Sequence, residues 1–113
     1  MNKRGVGKDK ENLAVYFLRE KGLDILDTNF NTRHGEIDII ARDEMYLVFA
    51  EVKYRSGNVY GSPFDAIGIS KQKSIRNAAK VYMYIKGYPE TSYVRFDCIG
   101  VTDYGIEWLK SAF

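Results

Sequence analysis

Apolar residues in this chain recur first at helical spacing, then at every second position, then again helically and again at every second position, which predicts an αβββαββ order. Leu13, Ala14, Phe17 and Leu18 mark a first helix over about residues 9–21, with Gly22 as its stop. Three strands follow: Asp24 to Phe30, Gly35 to Ala41 and Leu47 to Lys53, joined by short links as an antiparallel meander. Ser62-Pro63 reads as a cap followed by proline at a first helical position. Ser70 is expected to cap a longer helix reaching Lys86, with Ile75, Ala78, Ala79, Tyr82 and Ile85 as its core stripe and Gly87 and Pro89 ending it. Tyr93 to Val101 and Ile106 to Leu109 read as final strands around a Thr102-Asp103-Tyr104-Gly105 turn. A helix between the meander and the next strand requires a mixed sheet with a right-handed crossover.

Polar residues interrupt the second and third strands in a pattern with chemical meaning. Side chains alternate along a strand, so Glu51 and Lys53 share one face while Val48, Ala50 and Val52 fill the other. The same parity groups Glu36, Asp38 and Ile40, with Ile37, Ile39 and Ala41 opposite. The link Arg42-Asp43-Glu44-Met45 favours a register pairing Arg42 with Met45, which sets Glu36 across from Glu51 and Asp38 diagonally beside it. A two-residue slip would place Asp38 directly opposite Glu51, so either register keeps the acids together.

Two carboxylates about 5 Å apart repel by roughly 3 kcal/mol at an effective dielectric near 20, and one lysine offsets only part of that. A hard divalent cation, Mg²⁺ or Mn²⁺, supplies the missing charge and retains waters, one of which serves as a nucleophile. Asp38, Glu51 and Lys53 are therefore the candidate catalytic trio, with Asp38, Glu51 and Glu36 as candidate ligands. Lys53 either stabilises charge on phosphate oxygens or helps deprotonate the water, and the spacing leaves both roles open. The chemistry expected is phosphodiester hydrolysis. An isolated E-x-K is more often a solvated ion pair; its place in an apolar strand beside a second acid and Gly35 favours a site.

Composition narrows the setting. A chain of 113 residues supports one core, taken as residues 9–113 after a flexible Gly- and Lys-rich tail over 1–8. The net charge of +2 permits a local basic patch without arguing for nucleic acid by itself. One cysteine, Cys98, cannot form an internal disulfide, which suits a reducing cytoplasm. No membrane-length apolar stretch and no signal-peptide core are visible, so a soluble cytoplasmic protein is expected.

The arrangement of Asp38 with Glu51-Val52-Lys53 resembles the PD-(D/E)XK nuclease superfamily. The run Gly35-Glu36-Ile37-Asp38, the phrase Phe49-Ala50-Glu51-Val52-Lys53-Tyr54-Arg55 and the later Arg95-Phe96-Asp97 are similar to the YraN family of small bacterial proteins, which are regarded as endonucleases similar to archaeal Holliday-junction resolvases. The resemblance implies a restriction-endonuclease-like αβββαβ core with one extra C-terminal strand, and activity on DNA, branched or otherwise structured. It also implies a glutamate from the first helix at the metal, a role open to Glu11, and a polar helix residue nearby, open to Gln72. Glu11 lies on the stripe of Ala14 and Leu18, yet a first-turn glutamate is equally explained by the helix dipole. A homodimer follows only from the resolvase analogy, because cutting both strands of a symmetric junction needs two sites related by a two-fold axis.

Candidate nucleic-acid contacts are Arg55, in the segment leading through Ser56, Gly57, Asn58, Tyr60 and Gly61, and Lys71, the first of a group with Lys73, Arg76 and Lys80 on the second helix. Most of these cations individually fit a solvated helix face. His34 precedes Gly35 and reads as a turn or phosphate-facing residue, not an acid-base group. Arg95 and Asp97 share a strand face and either pair with each other or line the floor of the site. Tyrosines such as Tyr16 and Tyr82 read as core or boundary residues. Two alternatives remain: a nucleic-acid-binding module of the same fold without significant turnover, and a protein-interaction domain with a vestigial site.

Overall fold

The computed structural model describes residues 3–55 and 67–113, with side chains described from Asp9 onward. The expected Ser62-Pro63 cap and the segment from Ser56 to Gly61 lie outside the described residues. The order is α1 (Lys3–Glu20), β1 (Asp24–Thr32), β2 (Gly35–Asp43), β3 (Tyr46–Arg55), α2 (Ile69–Lys86), β4 (Val94–Thr102) and β5 (Gly105–Leu109). The strands form one sheet in sequence order, antiparallel except where β3 runs parallel to β4 across the α2 connection. This is the mixed sheet with two helices expected, consistent with a restriction-endonuclease-like αβββαβ core extended by β5.

Each helix covers one face of the sheet. Ala14 and Leu18 of α1 pack with Ile39, Ala41, Ala50, Ile99 and Val101, whereas Ile75, Ala78, Ala79 and Tyr82 of α2 pack with Ile37, Ile40, Leu47 and Phe49. Both helices stop the same way. Gly22 (φ 93°) and Gly87 (φ 77°) adopt the left-handed conformation, and the residue after each donates back into the last turn, Leu23 N–H to Leu18 and Tyr88 N–H to Met83. That is the paired closure a glycine permits without a Cβ penalty.

Several local expectations are corrected. The first helix begins at Lys3 instead of near residue 9. The second is capped by Gly68, with Ser70 inside the helix. Ile85 is 62% exposed because it sits about 70° around the helix from the centre of the buried stripe, given 3.6 residues per turn. Tyr16 is also exposed, on the outer side of α1, while Tyr82 is buried.

The β2–β3 hairpin adopts the slipped register. Asp43 pairs with Tyr46, and a two-residue turn at Glu44-Met45 is made possible by a positive φ of 54° at Glu44. Alternation in β2 also fails at one point. Ile37 packs on the α2 side although Ile39, two residues on, packs on the α1 side. The residue between them is Asp38. Its neighbour position on β1, between the Thr28–Ile39 and Phe30–Ile37 pairs, is Asn29 with φ 53°. A left-handed residue turns the edge strand locally, and Asn tolerates that conformation better than most.

Candidate active site

The site forms where β2 and β3 part. Their ladder ends at Ile39–Ala50, and one further step of that register brings Asp38 across from Glu51. Asp38 then replaces the missing ladder bond with its own side chain: Oδ2 accepts the Val52 N–H at 2.8 Å. Glu51 follows Leu47 and Phe49 in strand parity, so its side chain lies on the α2 side. Lys71 arrives there from the first turn of α2. Lys71 Nζ stands 3.6 Å from Glu51 Oε1.

Burial sets the electrostatics. Glu51 is 8% exposed, and desolvation, reinforced by the neighbouring Asp38 charge, raises its pKa to about 7, with Lys71 and Lys53 opposing the rise. Asp38 is also raised, first by burial and then by Glu36, while the Val52 amide and a hydrogen bond with Glu51 pull the other way. The two carboxyls thus act on one another, and ionisation of one opposes ionisation of the other. Glu51 Oε2 is buried and accepts no hydrogen bond. An oxygen in that state is a desolvation cost that an incoming cation or proton relieves.

Cys98 lies beside Glu51 on β4 and is fully buried; burial and then the Glu51 charge push its thiol up to about 12, so it stays protonated. It has no acid-base role at neutral pH.

The remaining candidates divide. Glu36 acts on Asp38 electrostatically. Glu11 lies on the α1 stripe with Ala14 and Leu18 and buries its Oε1, and the next residue back, Lys10, places Nζ 4.5 Å from the Tyr54 ring at the end of β3. Among the described residues no group of three or more acidic, histidine or cysteine side chains comes together closely enough to hold a metal ion. Asp38 and Glu51 are the pair the fold assembles. Lys53 and Arg55 follow Glu51 at two-residue steps, and Arg55 ends the strand opposite Thr102. Gln72 donates through Nε2 to the Ile67 carbonyl at 3.1 Å, which ties the start of α2 to the chain entering it.

His34 is exposed in the β1–β2 turn, where its N–H donates to Thr32 Oγ1. That turn abuts α2: a Cβ on Gly35 would lie 3.2 Å from Ser74 Cβ, and Gly35 has φ 148°. Both constraints require glycine. They set the His34 turn beside the helix that carries Lys71.

Arg95 and Asp97 are not the floor of the site. Asp97 shares strand parity with Ile99 and Val101 on the α1 side, opposite Glu51. It is fully buried and accepts from Arg95 Nε and Nη2, Trp108 Nε1 and the Ser111 N–H, while Arg95 Nη2 also bonds Asp43 at 2.9 Å. This network fastens the β2–β3 turn, β4 and the C-terminal segment together. The Val52 amide is the other feature that residue-type reasoning missed, because a backbone donor has no signature in sequence.

Known proteins with similar sequences give one consistent result. Residues 10–101 match the profile of the uncharacterised protein family UPF0102. A UPF0102 protein of Lachnoclostridium phytofermentans is 45% identical over 113 residues, covering 100% of this chain and 96% of its own length. UPF0102 proteins of Clostridium perfringens (strain 13) and Clostridium botulinum (strain 657) are 41% and 40% identical, each over 97% of this chain and 94% of theirs.

Proposed function

This chain belongs to the UPF0102 family, and from that membership and its paired carboxylates we propose that it is a metal-dependent endonuclease of the PD-(D/E)XK type, hydrolysing phosphodiester bonds in DNA in the cytoplasm. The observation that carries the reading is the Asp38–Glu51 pair. A buried carboxyl and a half-buried one face one another, the buried one with an oxygen lacking a hydrogen-bond partner, and two lysines stand beside them. Such an oxygen-only donor set fits Mg²⁺ or Mn²⁺, which would be held by Asp38 and Glu51, with Glu36 and Glu11 at its periphery. Bound there, the ion supplies positive charge to the phosphate and a water of lowered pKa.

The chain's own groups account for the other steps. The Val52 N–H fixes Asp38 Oδ2, so one acid is oriented before substrate arrives. Lys53 faces the developing charge on the phosphate oxygens or takes the proton of the attacking water. Attack forms a P–O bond to the water oxygen, the bond to the leaving sugar oxygen breaks, and that oxygen takes up a proton. Lys71, Arg55 and the His34 turn supply the surface for flanking phosphates.

A second reading, a nucleic-acid-binding module without turnover, is favoured by one observation: only two acids converge among the described residues. Cleavage assays on linear, flapped, single-stranded and four-way DNA with Mg²⁺ and with Mn²⁺ separate the two. Cutting that is lost in Asp38→Asn supports the nuclease. Binding without cutting in either metal assigns the chain to the module.

A further inference from the structure

A concavity of 790 Å³ lies away from the carboxylate pair, between the C-terminal half of α2 and the start of β4. That volume is within the range of sites that hold a nucleotide-sized molecule. Its lining is mainly apolar, including Met83, Val94 and Phe96, and its α2 side carries Arg76, Lys80 and Tyr84. These three are spaced by four residues each, so they form one ridge about 6 Å per step along the helix.

The chemistry of that ridge is specific. Arg76 is held with its guanidinium 4.6 Å above the Phe96 ring, Lys80 is exposed, and Tyr84 is 88% exposed, an uncommon state for a ring that a core would otherwise bury. Cations in series with an open aromatic face match a single nucleic-acid strand, whose phosphates want charge and whose unpaired bases want a flat apolar partner. A paired base offers no such face. Glu90 on the rim can accept from an exocyclic amino group of a base. The ridge belongs to the helix whose first turn carries Lys71 to Glu51.

We propose that this pocket is a binding site for an unpaired nucleotide, with Tyr84 stacking on the base and Arg76 and Lys80 holding the adjoining phosphates. The inference rests on the nucleic-acid reading above and deepens it: the substrate class becomes DNA with a single-stranded tail or splayed branch.

The test is equilibrium binding by fluorescence anisotropy, in EDTA so that nothing is cut, of a linear duplex and the same duplex with a single-stranded tail carrying 2-aminopurine. The wild type is expected to bind the tailed form about tenfold more tightly, with quenching of the 2-aminopurine as it stacks. Tyr84→Ala should remove both the preference and the quenching while leaving duplex affinity within about twofold, and Lys80→Ala should weaken tail binding about threefold to fivefold. Equal affinity for the two forms overturns the proposal, as does a tail preference that survives Tyr84→Ala. So does a dimer in sedimentation that Tyr84→Ala dissolves without changing tail binding, which gives the pocket to a second copy. The nuclease reading fails by a different result, absence of cutting by the wild type with Mg²⁺ or Mn²⁺, so the two failures are told apart.

Discussion

Glu51 carries the clearest residue-scale consequence. Its pKa in the fold, about 7, lies above that of an exposed glutamate, so the folded state binds more protons than the unfolded one between about pH 4.5 and 7. Stability without metal should therefore be highest at the acid end of that window and fall as pH rises through it, by about 2–3 kcal/mol. Glu51→Gln should flatten that part of the profile and leave the variant more stable than wild type at pH 8, as followed by urea denaturation at stepped pH. A profile unchanged by the substitution would show that Glu51 does not titrate in this range. The same proton competes with a cation. Mn²⁺ affinity by calorimetry should rise about tenfold from pH 6 to pH 7.5 in the wild type and be weak at both in Glu51→Gln. Lys71→Ala removes a cation 3.6 Å from Glu51, which should move the onset of binding to higher pH.

At the scale of elements, the β2–β3 turn and the buried Asp97 network make opposite predictions. Glu44 holds φ 54° in a two-residue hairpin turn, a conformation that glycine adopts without a Cβ clash, so Glu44→Gly should be neutral or stabilise by up to about 1 kcal/mol. Asp97→Asn leaves Arg95 with Asp43 as its remaining counter-charge and weakens the buried network of acceptor bonds, which should cost about 1–3 kcal/mol, while the divalent affinity of whatever remains folded is preserved. Thermal melts and Mn²⁺ titration of the same samples check both parts. These elements also show what the sequence could convey. The alternation in β3 was legible because every second residue from Leu47 to Lys53 obeys one period, and it placed Glu51 and Lys53 on one face. The break at Asp38 was not, and in the structure it falls opposite Asn29, whose positive φ lies in a different strand. The hairpin slip turned on one residue's backbone conformation, and both turn placements satisfied the polar pattern. Arg95 and Asp97 carried the right spacing for a pair, but only the pairing of β3 with β4 shows that they face away from Glu51. Ser70 looked like a helix cap because capping chemistry is local, whereas α2 starts from Gly68, which has no side chain to signal it.

For the whole molecule, the proposed activity asks how two helices and five strands, among the described residues, divide substrate holding from bond breaking. The carboxylates sit where β2 and β3 part, α2 lies over that opening with Lys71 at its first turn, and Arg55 closes β3 at the same end. In the proposed reaction Lys53, two residues from Glu51, belongs to the chemistry and Arg55 to the surface. A group that acts on charge developing in the transition state changes rate more than affinity, whereas a cation neutralising a ground-state phosphate changes affinity and its dependence on salt. Lys53→Ala should therefore reduce single-turnover cleavage by at least a hundredfold with nucleic-acid affinity within about threefold of wild type. Arg55→Ala should weaken affinity and lower the slope of log K against log salt concentration by about one unit, with the cleavage rate at saturating protein nearly unchanged. If instead Lys53→Ala weakens binding in parallel with cleavage and lowers the salt slope as Arg55→Ala does, then Lys53 is a phosphate contact like its neighbour. Catalysis would then rest on the carboxylates and their cation alone.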